Sequence, residues 1–203
     1  MSMITDITER RGLVEIVADG SVAARIRKAH FARCPVHAGE DIDVDAYLDR
    51  VAAVQLADAY EAALSSLDVC ARSAKEIAAS LRRRGYVEPV VEAVLARLTE
   101  NRLIDDARYA ERMAEVQSQK ATGIYAFKRR LRAKGVSDED AEAALAAFDD
   151  EQQQAACLAT AEKLIRKYAE LPPREARAKL GQALARRGFG WEIIEGVVDQ
   201  LID

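Results

Sequence analysis

Apolar positions between Arg72 and Met113 recur at helical spacing and are interrupted by explicit stop signals. Ile77 and Leu81 lie four apart on one helix face, and Ser73 with Glu76 forms a capping box at its start. Arg82, Arg83 and Arg84 fill the last turn, and Gly85 supplies the left-handed residue that ends it. After Tyr86, the set Val90, Val91, Val94, Leu95, Leu98 predicts a second amphipathic helix, with Pro89 in its first turn. A break over 101–104 precedes Asp105 and Asp106, placed to cap a third helix carrying Tyr109, Met113 and Val116.

The first two of these helices recur. Gly85, Gly135 and Gly188 are 50 and 53 residues apart. Four positions before them stand Leu81, Leu131 and Leu184, and eight before stand Ile77, Phe127 and Leu180. Tyr86, Val136 and Phe189 follow directly, and Leu95, Leu145 and Val198 occupy the tenth position after. Core positions in phase at this period mean tandem copies of one supersecondary unit. Ser137 and Asp140 repeat the capping logic, a third helix is predicted over 151–168, and Pro172-Pro173 starts a third copy of two helices.

The N-terminal stretch follows a different period. Residues 12–17 are β-rich, Asp19-Gly20 is a favoured hairpin turn, Val22 to Ile26 forms the returning strand, and Ile4 to Thr8 supplies a third. From Asp43 the pattern becomes helical, with one helix bearing Leu48, Val51 and Ala52 and another bearing Leu56, Tyr60, Ala63, Leu64 and Leu67. The expected divisions are a β-hairpin segment over 1–42, connecting helices over 43–71, repeats over 72–119 and 120–170, and a two-helix third repeat over 171–203. The fold class is mainly α, an elongated array of tandem three-helix repeats with a small N-terminal β-hairpin segment. No Pro-, Gly- or Ser-rich linker interrupts it, so a semi-rigid array is expected.

Composition agrees: half of the 203 residues are apolar but only 5% are aromatic. Three cysteines, Cys34, Cys70 and Cys157, stand far apart and suit reduced thiols. The net charge of −4 is unevenly spread. Residues 1–71 hold 7 basic and 12 acidic residues, 72–135 hold 15 and 8, and 136–203 hold 8 and 14. A basic centre between acidic ends suits a polyanionic or acidic partner without making the chain a general nucleic-acid coater.

The RSAKEI core followed by RGY, the LIDDARYAERM segment and the KRRLRAKGV second copy resemble the RecX family of recombination regulators, over at least Ala57 to Asp203. The resemblance implies tandem three-helix repeats and a modulator that binds the RecA recombinase filament on single-stranded DNA. Inhibition of that filament, within homologous recombination, DNA repair and the SOS response, is the activity it implies. A monomer in the cytoplasm, with no membrane contact and no cofactor, is the corresponding expectation.

The residues themselves offer no catalytic constellation. Phosphate-loop, H-E-x-x-H and G-x-S-x-G patterns are absent from the sequence. Cys34 and His37 are too few ligands for a metal site, and Asp105-Asp106, pointing about 100° apart on a helix, read better as a cap than as a chelate. The chain is therefore expected not to be an enzyme. Candidate partner-binding residues are the basic clusters before each glycine: Arg82, Arg83 and Arg84; Lys128, Arg129, Arg130, Arg132 and Lys134; Arg186 and Arg187. Cations in a last turn also interact with the helix dipole, by about 0.3–1 kcal/mol each. That suffices for the third cluster, whereas the density of the second favours a partner surface. Trp191 has no aromatic counterpart in the other copies, and both a packing anchor and an exposed contact remain open for it. The competing function is a helix-turn-helix-like module acting directly on DNA; the acidic flanks and the lack of an obvious base-reading helix count against it as the main function.

Overall fold

The computed structural model describes residues 1–118 and 122–202. The expected boundary between the first two repeats, at 119/120, lies outside them. The chain divides into two compact units, 1–105 and 106–203.

The first unit opens with an antiparallel sheet of β1 (Ser2–Arg10), β2 (Leu13–Ala18), β3 (Ser21–Arg27) and the short β4 (Asp41–Ile42), in the order β3-β2-β1-β4. Both hairpin turns place two successive residues at positive φ, Arg11-Gly12 at 54° and 77° and Asp19-Gly20 at 50° and 78°. That is the geometry whose twist matches the flanking strands. A single helical turn, α1 (Lys28–Phe31), follows, and then α2 (Val44–Val69), capped by the Asp43 carboxylate on the amides of Asp45 and Ala46. Two helices are predicted over this stretch, but the chain forms one of 26 residues. Neither Gly nor Pro interrupts 44–69, so nothing stops propagation. Helices α3 (Ala74–Arg83) and α4 (Glu88–Glu100) complete the unit, and α3 carries the predicted Ser73–Glu76 capping box.

Sheet and helices share one core. Ile4, Ile16 and Ile26 belong to the same buried cluster as Val51, Ile77, Leu81, Val91 and Leu98. Residues 1–42 are thus one layer of the first unit. His30 is buried within it, its Nε2 2.9 Å from Asp58 Oδ2 and its ring against Tyr86, a structural role for this histidine.

The second unit holds α5 (Asp106–Ser118), α6 (Ile124–Ala133), α7 (Asp138–Leu145), α8 (Asp150–Ile165), α9 (Pro173–Arg186) and α10 (Trp191–Leu201), with a 3-10 turn at Arg166–Tyr168. Two cores form. Tyr109, Ala110 and Ala114 of α5 surround Phe127 and Leu131 of α6 with Ala141 and Ala144 of α7. Cys157, Ala161 and Leu164 of α8 enclose Leu180 and Leu184 of α9 with Ile194, Val197 and Val198 of α10.

This grouping shifts the phase of the repeats. The sequence assigns the third helix of each unit to the pair before it, but α5 and α8 each supply core residues to the pair that follows. The third bundle therefore has three helices, against the two expected. The small side chains of Ala110 and Ala114 let α5 approach α6 closely, whereas Val116, predicted to face inward, is 59% exposed.

Each helix pair turns at its glycine in the same way. Gly85, Gly135 and Gly188 have φ of 81°, 90° and 87°. The amides of Tyr86, Val136 and Phe189 reach back to the carbonyls of Leu81, Leu131 and Leu184 at 3.3, 3.1 and 3.4 Å. The glycine amides bond the carbonyls of Arg82, Arg132 and Ala185. These are Schellman motifs, whose hydrophobic contact explains why an apolar residue follows each glycine.

Candidate functional site

The predicted basic residues lie on the first helix of each pair, and their surroundings differ. Arg82 is three residues before its glycine and Glu88 three after. The Schellman turn brings them together, and the guanidinium grips the carboxylate with both nitrogens, Nε at 2.8 Å from Oε2. This hydrogen bond holds the Glu88 carboxyl below its usual range and raises the Arg82 guanidinium above its own. Arg132 and Asp138 occupy the same positions around Gly135 and form the same pair, with the same opposed displacements. Around Gly188 those positions hold Ala185 and Trp191, so no such pair exists there.

Several other cations are also engaged. Lys128 pairs with Glu142 on α7, and Arg130 donates to the Gln117 side-chain oxygen at 3.0 Å. Arg187 donates to the Ala183 carbonyl of its own helix at 2.9 Å, as expected of a helix-terminal cation. Lys134 is half-buried at the C-cap of α6. Arg83, Arg84, Arg129 and Arg186 are exposed and make no ion pair among the described residues. Within the second cluster, Lys128 and Arg132 are thus balanced by Glu142 and Asp138 of α7.

The second helices are acidic on their exposed faces. Besides α7, α10 presents Glu192, Glu195 and Asp199, the last paired with Arg177. A recognition helix lying in the major groove of DNA would bring these carboxylates against phosphate.

Two residues that the sequence reading passed over organise the turns. Gln55 of α2, fully buried, donates from Nε2 to the Gly85 carbonyl at 2.9 Å and accepts the Val87 amide at 2.9 Å. Gln153 of α8 accepts the Ile124 amide at 3.2 Å and donates to the Thr122 carbonyl at 3.4 Å. Each amide side chain fits a peptide-like donor and acceptor pair. A polar residue at a core position of a helix was the available signal.

Three family models, for the first, second and third three-helix domains of RecX, match residues 59–98, 105–145 and 150–198. The chain belongs to the RecX family. These matched segments coincide with the bundles α2–α4, α5–α7 and α8–α10. Regulatory protein RecX of Bacillus subtilis is 27% identical over 99% of this chain and 78% of its own. That of Prosthecochloris aestuarii is 33% identical over 69% of this chain and 91% of its own. A crystal structure of regulatory protein RecX superposes with a TM-score of 0.68 at 28% identity, covering 98% of this chain and all of the other. RecX from Lactobacillus salivarius gives 0.64 at 30% identity over 73% of this chain and 97% of its own. RecX relatives are thus named as regulatory proteins. Among the described residues, no helix is long and apolar enough to cross a membrane and no group of three or more His, Cys, Asp or Glu could hold a metal ion.

Proposed function

We propose that this chain is a non-enzymatic, cytoplasmic regulator that binds the RecA filament on single-stranded DNA and inhibits it during recombination and repair. Membership of the RecX family carries the reading, and the exposed cations support it. Successive three-helix domains offer repeated surfaces to a periodic target, and contacts with neighbouring protomers add through effective concentration. The contact surface comprises the ten basic residues before the glycines. Within it Arg83, Arg84, Arg129 and Arg186 carry the largest share, because no internal carboxylate must first be given up.

The test is filament binding and filament assembly with Arg83→Glu, Arg84→Glu and Arg129→Glu combined. All three side chains are exposed, so helix content stays intact. Affinity for the filament is expected to fall more than about tenfold, over about 1.4 kcal/mol. Unchanged affinity would show these arginines to be a solvated face. Binding to bare single-stranded DNA with a steep salt dependence, matching filament binding in strength, would favour direct action on DNA.

A further inference from the structure

The start of α10 forms a second kind of surface. Trp191, its first residue, is 65% exposed, and Tyr125, the second residue of α6, is 53% exposed. They line one cleft of about 420 Å³ together with Ile124, Gln154, Asp150 and Glu192. Each ring is seated on a glycine. A Cβ on Gly190 would stand 3.4 Å from Tyr125 Cε2, and one on Gly181 would stand 3.8 Å from Trp191 Cη2. The rings are therefore placed by packing, and their remaining surface is open to solvent. Aromatic area held in position and left uncovered is characteristic of a recognition surface, since little further ordering is needed on binding.

Charge decides what fits. Among the described residues no Lys or Arg lines the cleft, while Asp150 and Glu192 do, and neither of them makes an ion pair. Helices α6, α8 and α10 all begin here, each contributing about half a positive charge from its dipole. The two carboxylates, with the Asp149 cap of α8, offset those partial charges. A phosphate would find those helix N-termini already balanced by carboxylates, with no basic side chain described in the cleft to receive it. A flat cation meets aromatic faces and carboxylates together.

The comparison with the other repeats sharpens this. Around Gly85 and Gly135 a carboxylate receives the arginine of its own helix pair. Around Gly188 the arginine position is Ala185 and the carboxylate position is Trp191. Here the chain supplies acid and aromatic groups but no guanidinium.

We propose that this cleft binds an arginine side chain from a partner protein, with the guanidinium stacked on Trp191 and Tyr125 and paired with Asp150 and Glu192. Arginine is preferred to lysine because its planar head stacks on aromatic faces and engages carboxylates in two directions. The site goes beyond the regulatory reading and stands whichever protein offers the arginine.

Trp191 is the chain's single tryptophan, so its fluorescence reports this site alone. The full chain is titrated with the capped peptide acetyl-Gly-Arg-Gly-amide, its lysine and citrulline counterparts, and a short oligothymidylate. The arginine peptide is expected to change Trp191 emission saturably and to bind at least about threefold more tightly than the lysine peptide. The uncharged citrulline peptide should produce no saturable change. Combining Asp150→Asn with Glu192→Gln should weaken arginine binding by at least about tenfold, as loss of charge-assisted bonds does. An equal response to citrulline overturns the proposal, as does an arginine affinity unmoved in a folded double variant. Quenching by oligothymidylate but not by the arginine peptide also overturns it and assigns the cleft to nucleic acid. The peptide comparison needs no variant, so it decides the matter even if the substituted chain fails to fold.

Discussion

The first two glycine turns and the third share a backbone and differ in what closes them. Around Gly85 and Gly135 an arginine three residues before meets a carboxylate three residues after. Around Gly188 that bond is absent, and the turn is instead seated against another backbone. The Gly123 amide donates to the Arg187 carbonyl at 3.3 Å, and the Tyr125 amide donates to the Gly188 carbonyl at 3.0 Å. An exposed ion pair tolerates substitution and contributes little, whereas a backbone junction tolerates no side chain. One repeated motif thus carries an ion-pair closure in two copies and a backbone hydrogen-bonded junction in the third.

The largest expected effect comes from filling that junction. A Cβ on Gly188 would stand 2.2 Å from the Ala126 nitrogen, at a φ of 87° that L side chains rarely adopt. Gly188→Ala should therefore destabilise the second unit by several kcal/mol, roughly 3 or more, because strain and a backbone clash add. Gly85→Ala shares the strain, but its nearest obstacle is the Leu13 side chain at 2.5 Å, with the Arg27 nitrogen at 2.9 Å. It should cost less. Denaturant melts of both variants, followed by circular dichroism, test the order, and equal losses would contradict the distinction between the turns.

Next in size are the buried glutamines. Gln55→Ala leaves the Gly85 carbonyl and the Val87 amide without their partner, and Gln153→Ala does the same to Thr122 and Ile124. Unsatisfied buried groups cost about 1–3 kcal/mol. Gln55 makes the shorter bonds and is the more buried, so its loss should be greater. Faster hydrogen exchange at Val87 and Ile124 respectively would localise each effect, and a larger loss for Gln153→Ala would reverse the ranking.

These contrasts show which features a sequence exposes. The three left-handed glycines are legible because the positive φ there strains any residue with a side chain. Their phase then reveals Leu81, Leu131 and Leu184 as core. The hairpin at Asp19-Gly20 is legible for the same conformational reason. The direction in which α5 packs is not, because its contact face consists of Ala110 and Ala114, whose small side chains carry almost no hydrophobic signal. The ion-pair partners of the basic clusters are not legible when each helix is considered alone. Lys128 and Arg132 look free until the fold brings Glu142 and Asp138 across from α7. Trp191 was ambiguous because an aromatic residue after a turn suits a core or a surface equally. Gly181 resolves it by leaving the indole a seat on α9 with most of the ring outside.

Alkaline pH should separate the units more mildly. Burial pushes the Tyr47 hydroxyl, which donates to the Cys34 carbonyl at 3.1 Å, up to about 12 from 10.0. Burial likewise pushes the Cys157 thiol up to about 11 from 9.0. Both groups are neutral when protonated, and unfolding lets them ionise earlier. Their contribution is therefore complete below pH 9 for Cys157 and below pH 10 for Tyr47, and is lost as pH rises towards the folded values. The α8–α10 bundle should weaken first. At neutral pH the exposed Cys70 should react readily with iodoacetamide while Cys157 stays protected, because the thiolate is the reactive form. Rapid modification of Cys157 in the folded chain would contradict both its burial and its raised value.

The smallest effect tests whether the missing ion pair matters for stability at all. Combining Ala185→Arg with Trp191→Glu would install in the third turn the residues that close the other two. Both positions are exposed, and the change gives up the packing of the indole edge beside Gly181. A solvent-exposed pair contributes about 0–1 kcal/mol at best, close to what that lost contact removes. The thermal midpoint is therefore expected to stay within error of the parent chain. A clear gain would mean that the third turn lacks a stabilising bond for want of suitable residues. No gain would place the reason for Trp191 outside folding, where the new arginine and glutamate should also abolish binding of the arginine peptide as judged by calorimetry. A variant that gained stability and kept arginine binding would break the link between the absent pair and the cleft.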